Sequence, residues 1–386
     1  MQKKIRILYL INSFVMGGAE KGLVRIVSGL NSNKYEIMVV SLQDRSEQLI
    51  PELEKTGVKI VRLSASSNYD IRVVYKLYKL IKNYVPDVFI CSLFHSTILG
   101  RITGTLAKTP IIINWEHNEN FGSLLRRWIN RATVSLSSKI FCDSEIVRIQ
   151  VIKQLCPKEK SVETIPIGGI DLAQYRYRER SKSPAVVVGA VGMLTKQKGF
   201  AYLIEAAKLV SEKKANVSFS IVGDGPEFES LKNLVKELQL EDTVHLLGLR
   251  YDIPDLLSKW HIYAQPSIWE GLCITVVEAM ACGLPIIASN VGGIPESVIE
   301  NQNGFIVSPK DPSVLATRIL YLIDNPELRI GMGHKSREIA EEKYCMHKMC
   351  NNIEESLDNL IKTEIRVIWN TKEKVWQSHE YVKVTL

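Results

Sequence analysis

WEGLCITVVEAMACGLPIIASNVG, Trp269 to Gly292 of a 386-residue chain, sets Glu270 and Gly271 in a loop, follows with an apolar segment of helical length, and places Glu278 about two turns inside it. Leu272 to Cys282 carries no charge other than Glu278. An ionised carboxylate on so apolar a segment needs donors, because taking it out of water unpaired is costly. The two hydroxyls of a ribose are one economical donor set and a buried Lys or Arg is another; this stretch alone leaves both open. The helix start after Gly271 presents free N–H groups and the positive end of a helix dipole, which suits a phosphate. Carboxylates for sugar hydroxyls beside a helix start for phosphate describe a nucleotide-sugar pocket.

Outward from this loop and helix, the same alternation runs the length of the chain. KIRILYLI leads into a helix from about Ala19, EIMVVSL into one near Gln48 to Lys55, and VKIVRL into Ile71 to Tyr84; DVFICS, PIIINW and KIFCDS continue the series. A second series comprises AVVVGAVGML, VSFSIVG, VHLLG, IYAQPS, PIIASN and GFIVS. Strands separated by single helices predict parallel sheets covered on both faces. Polar Tyr175 to Pro184, YRYRERSKSP, reads as a linker. The expected division is therefore 1–182, 183–362 and a tail of undetermined structure at 363–386. The active site is expected in the cleft between two Rossmann-like halves, at the carboxyl ends of both sheets. From Pro326 to about Ile361 the pattern is helical.

A chain of this length exceeds what one core usually serves. With 46% hydrophobic and 24% charged residues it reads as an ordinary globular protein. Seven cysteines without a C-x-x-C pair point to a reduced, cytoplasmic protein with neither structural zinc nor a disulfide framework. The opening MQKKIRILYLINSF has a short apolar run that enters a glycine turn, so it is expected to be the first strand rather than a signal peptide. No apolar run approaches membrane-spanning length. Residues 1 to 182 hold 28 Lys+Arg against 16 Asp+Glu, a net +12, whereas the remainder holds 21 against 26, a net −5. No nucleic-acid motif accompanies that basic half; anionic lipid headgroups, a diphosphate-bearing acceptor and a plain solvated surface all remain consistent with it.

Glu270 and Glu278, with seven residues between them, resemble the signature of the retaining family-4 glycosyltransferases of the GT-B fold. GGAE at Gly17 to Glu20, NWEHNEN around His117, IGGIDL, VGMLTKQKG, VGDGPEFESL, HLLGLRYDIPDLL and YAQPSIWEGL match that family in order, over roughly residues 5 to 360. The resemblance implies a two-domain α/β protein whose last helices cross back to the first domain. It also implies transfer of a sugar from a nucleoside diphosphate, with UDP the expected nucleotide, to a hydroxyl with retained anomeric configuration. Glu278 would hold the ribose and Glu270 the donor sugar, with Gly271 and Leu272 offering N–H groups. The glycine turn at Gly17 and Gly18 would lie under the diphosphate or beside the acceptor, and His117 would contact the sugar.

The residues support these roles unevenly. Gly17 and Gly18 let backbone approach a ligand, yet such a turn also serves simply to join strand to helix. His117 follows an apolar run at a strand's carboxyl end, where these folds place ligands. Lys198 supplies a point charge for a departing diphosphate. The family pattern carries an arginine where this chain has Met193, so Lys196 or another basic group compensates, or donor binding is altered. Asp171 and Asp224 sit in turn contexts and read as structural. With no D-x-D motif, neither a metal nor any cofactor beyond the nucleotide sugar is expected. SLLRRWINRATVSLSSKI is a basic amphipathic stretch whose apolar side is expected to pack on its own sheet, with a membrane surface as the alternative.

The reading is a glycosyltransferase acting on a lipid-linked or surface-polysaccharide acceptor, cytoplasmic and at most peripheral to the inner face of the cell membrane. A soluble small-molecule acceptor, a nucleotide-sugar epimerase and a binding-only relative are the alternatives.

Overall fold

The computed structural model describes residues 4–15, 17–44, 48–67, 70–119, 121–179 and 185–363. The last part of the expected linker, 180–184, and the tail at 364–386 lie outside the described residues.

The first half runs β1 (Ile5–Ile11), α1 (Gly18–Gly29), β2 (Tyr35–Ser41), α2 (Ile50–Lys55), β3 (Lys59–Arg62), α3 (Ile71–Tyr84), β4 (Val88–Ser92), α4 (Phe94–Leu106), β5 (Ile111–Glu116), α5 (Leu124–Thr133), β6 (Lys139–Cys142), α6 (Glu145–Leu155) and β7 (Val162–Thr164). Its strands form one parallel sheet in the order β3-β2-β1-β4-β5-β6-β7. The second half runs β8 (Val186–Val191), α7 (Phe200–Ser211), β9 (Val217–Val222), α8 (Phe228–Glu237), β10 (Val244–Leu246), α9 (Ile253–Lys259), β11 (Ile262–Gln265), α10 (Ile274–Ala281), β12 (Ile286–Ser289), α11 (Ile294–Ser297), β13 (Gly304–Val307), α12 (Pro312–Asp324) and α13 (Pro326–Ile339). Its six strands are again parallel, in the order β10-β9-β8-β11-β12-β13.

Both sheets are buried on both faces, which is why their strands are continuous apolar runs: Ile7 through Ile11, Val88 through Cys91 and Ile286 through Ala288 are all buried. In each sheet the strand order reverses beside the first strand, between β1 and β4 and between β8 and β11. Loops that leave the carboxyl ends of those neighbouring strands diverge to opposite faces and open a crevice there.

After α13 a turn of π-helix at Ala340–Tyr344 breaks the helical run, and a final helix, 346–363, returns to the first half. Lys34 Nζ meets Asp358 at 2.8 Å, and Ser356 Oγ donates to Glu163 at 2.8 Å. At the crossing the chain hydrogen-bonds to the earlier connection: Ile170 N–H donates to the Tyr344 carbonyl at 2.8 Å, and Met346 N–H to the Ile170 carbonyl at 3.0 Å.

One expectation fails outright. In α5 the apolar residues Leu124, Leu125 and Trp128 face solvent, and polar Asn130 is the buried residue. The reason lies on α4. Arg101 is fully buried and needs acceptors, which α5 supplies through the Asn130 side chain, the Asn130 carbonyl at 3.2 Å and Thr133 Oγ1 at 3.2 Å. A buried guanidinium demands its hydrogen bonds more strongly than three apolar side chains demand burial.

Candidate active site

The switch point of the second sheet brings Lys198 and Glu270 together. Lys198 ends the loop after β8 and Glu270 the loop after β11, two strands that pair directly. Lys198 Nζ donates to Glu270 Oε1 at 2.6 Å, and Ser267 Oγ donates to the same oxygen at 2.7 Å. Burial pulls the Lys198 ammonium pKa down, but the Glu270 carboxylate outweighs it and leaves the group above its ordinary value. The ammonium is therefore charged at neutral pH, with two of its three donors beyond the one given to Glu270. Gly199 allows this loop to form: its φ is +65°, and a Cβ there would lie 2.1 Å from the Pro266 carbonyl oxygen. Met193 is about half exposed and Lys196 is exposed, so Lys198 is the basic residue this loop turns inward.

Between Glu270 and α10 lies Cys273, with φ 59° and ψ 74°. A left-handed non-glycine residue carries strain of about 1–3 kcal/mol and tends to persist at functional sites. It turns the chain so that α10 starts at Ile274, beside Gly18 at the start of α1 in the first half; a Cβ on Gly18 would lie 3.6 Å from Ile274 Cδ1. Gly17 is the N-cap of α1. Gly17 and Gly18 therefore face the helix start that follows Gly271 and Leu272.

His117 enters from the opposite sheet. It follows β5, while Asp143 follows the adjacent β6, and the pairing of Glu116 with Cys142 sets the two side by side. His117 Nδ1 is 2.8 Å from Asp143 Oδ2, and Trp115 Nε1–H donates to Asp143 Oδ1 at 2.7 Å. Nε2 is buried without a partner among the described residues. Burial lowers the imidazole pKa; Asp143, then Glu116 and Glu20, raise it, and the balance lies above the ordinary value. With Nδ1 turned to Asp143, Nε2 is a donor when the ring is protonated and an acceptor when Nδ1 alone carries the proton. Glu20 is held above the usual carboxylate range by burial, with His117 opposing the shift. If Asp143 is the main source of the histidine's shift, Asp143→Asn should lower the His117 pKa in an NMR titration; an unchanged value would remove Asp143 from that role. A histidine raised in the folded state stabilises fully below its unfolded value, and that contribution is lost as pH rises through the folded value.

The two halves meet closely here. A Cβ on Gly271 would lie 1.9 Å from the His117 carbonyl oxygen, so only glycine permits this approach. Glu296 of α11 reaches across to the start of α6, accepting from the N–H groups of Glu145 and Ile146 at 2.9 Å each. A carboxylate on a helix N-terminus is favourable.

Glu278 is 1% exposed and engaged by protein. Arg25 of α1 donates to its Oε1 at 2.5 Å and the Tyr175 hydroxyl donates to the same oxygen at 2.9 Å. The pairing with an arginine, here a partly buried one, is thus present, and both contacts fall on Oε1. Asp171 and Asp224 serve their turns, accepting from Ala173 N–H and Gly225 N–H. Among the described residues no group of His, Cys, Asp and Glu comes together that could hold a metal ion.

The profile of Glycosyltransferase Family 4 matches residues 16–174, and that of Glycosyl transferases group 1 matches residues 173–339. The chain belongs to these glycosyltransferases. The enzyme is 29% identical over 327 residues to the UDP-Gal:alpha-D-GlcNAc-diphosphoundecaprenol alpha-1,3-galactosyltransferase of Escherichia coli, covering 78% of this chain and 81% of that one. It is 25% identical over 346 residues to the N,N'-diacetylbacillosaminyl-diphospho-undecaprenol alpha-1,3-N-acetylgalactosaminyltransferase of Campylobacter jejuni, covering 82% and 89%. Among solved structures, Anabaena Alr3699/HepE in complex with UDP and glucose superposes with a TM-score of 0.81 at 22% identity, covering 92% of this glycosyltransferase and 100% of that chain. That likeness establishes the GT-B fold.

Sequence reasoning named Glu270, Lys198, Gly271, Leu272, Gly17, Gly18 and His117, and the structure gathers them about one cleft. It missed Asp143, Arg25, Tyr175, Glu296 and Cys273. Asp143 had a signal, since it follows KIFC as His117 follows IIINWE. Arg25 and Tyr175 had none, lying 253 and 103 residues from Glu278.

Proposed function

We propose that this glycosyltransferase moves a hexosyl group from a UDP-sugar to a hydroxyl of a lipid-linked saccharide, with retention at the anomeric carbon and without a metal ion. The Lys198–Glu270 pair at the switch point, facing His117, carries the reading. The bond between the anomeric carbon and the diphosphate breaks, its electron pair leaves on a phosphate oxygen, and the acceptor oxygen bonds to that carbon as its hydroxyl proton passes to the departing phosphate oxygen. Lys198 and the start of α10 meet the charge that develops on the leaving group. Glu270 holds the sugar's hydroxyls, Glu278 Oε2 a ribose hydroxyl, and the His117 Nε2–H a sugar oxygen. Because the Met193 position adds no charge, Lys198 carries more of the phosphate's neutralisation than it would beside an arginine. The undecaprenol-linked acceptors in the names of the two curated relatives support the acceptor class, and an enzyme at the cytoplasmic membrane face fits such substrates.

The test is transfer from labelled UDP-hexoses to a detergent-solubilised undecaprenyl-diphosphate saccharide, with excess chelator present and the product linkage read by NMR. An α-linked product formed from an α-configured donor at an undiminished rate is expected. Loss of turnover in chelator with rescue by magnesium would overturn metal independence. Transfer only to soluble sugars would replace the acceptor class, and donor loss without any acceptor would favour an epimerase.

A further inference from the structure

The inverted face of α5 calls for a covering. Leu124, Leu125 and Trp128 are 77%, 66% and 69% exposed on one short helix, an arrangement that folding alone does not favour. The helix cannot turn them inward, because its polar side is tied to the buried Arg101 through Asn130 and Thr133. Around the apolar residues stand exposed Arg126 and Arg131 and half-buried Arg127. The Arg126 guanidinium lies over the Phe94 ring, 5.2 Å from its centroid, which holds it at the helix's edge. Leucine and tryptophan on the outer side of a helix with arginines at its margin is the pattern of a segment lying in a lipid headgroup layer, where indole rings are favoured and arginines meet phosphates. The +12 charge of residues 1–182 adds a longer-range attraction of the same sign. Among the described residues no helix is long and apolar enough to cross a membrane, so contact through α5 would be interfacial.

We propose that α5 is the membrane-docking element of this enzyme, seating Leu124, Leu125 and Trp128 among the headgroups of an anionic bilayer with Arg126 and Arg131 on lipid phosphates. The placement has a functional sense that rests on the lipid-linked acceptor reading above. α5 begins seven residues after His117, so a bilayer against it lies beside the mouth of the cleft. An acceptor held in that bilayer would then present its saccharide to the site without leaving the membrane.

The full chain is mixed with vesicles of phosphatidylcholine alone, or of phosphatidylcholine with phosphatidylglycerol, and sedimented. Binding to the anionic vesicles alone is expected, weakening steeply with salt. Replacing Leu124, Leu125 and Trp128 together by serine should weaken it at least about tenfold, and replacing Arg126 and Arg131 by glutamine by about fivefold per arginine. Neither change should alter the thermal shift produced by UDP. If the triple variant unfolds, Trp128→Ala alone gives the same comparison. Wild-type indifference to anionic vesicles at low salt overturns the proposal, as does a triple variant that binds like wild type. A dimer that the triple variant abolishes would assign the face to a second copy instead. Turnover of the detergent-solubilised acceptor, measured without vesicles, separates the two claims: its absence defeats the acceptor reading whatever the vesicles show, and its presence leaves docking to be judged on sedimentation.

Discussion

Lys198→Ala is expected to lower kcat by about a hundred- to a thousandfold while UDP still raises the melting temperature. A charge aimed at a leaving group is felt most as that group departs, and removing one such contact in a water-excluded site typically has that effect. Lys198 also neutralises Glu270, whose Oε1 would keep only Ser267 as donor. The variant should therefore melt somewhat lower than wild type, and turnover must be measured below its own transition. Unchanged turnover in a folded variant would take Lys198 out of the mechanism.

A single methyl group should do almost as much damage at Gly271. The Cβ of Gly271→Ala would sit 1.9 Å from a main-chain oxygen of His117, which no rotamer change can relieve, so the cleft must open by an ångström or more. Misplacement on that scale lowers turnover by about a hundredfold when two halves of a site must act together. UDP affinity should change far less, because Lys198 and Glu278 belong to the second half and stay together. Wild-type kcat in this variant would show that the closed approach of His117 is not the catalytic arrangement.

The fold was almost wholly legible because both sheets are buried on both faces, and burial writes each strand as a compact apolar run. β7 escaped notice because Val162–Thr164 is three residues at a sheet edge with a glutamate in the middle. The break at Ala340–Tyr344 escaped because AEEKY is as good a helical sequence as its neighbours; what ends the helix there is pairing with Ile170, a distant segment. At the site, residues that follow strands were readable, since a strand's carboxyl end is where this architecture gathers ligands. Pairings between halves were not. Nothing near Glu278 indicates Arg25, and nothing in α5 indicates that Arg101, on another helix, will claim its polar side.

The pairing of Ile170 with Cys345 also bears on how the enzyme can move. The chain passes between its two halves twice, and at this point the two passages are bonded to each other rather than standing apart. Two passages tied by a bridge with a backbone hydrogen bond on either side resist sliding past each other at that point. A jaw-like swing about this bridge is therefore the expected mode of opening, one that would bring His117 back over Gly271 on closure. Severing the return passage would leave a single tether, and with it the loss of alignment rather than of either half.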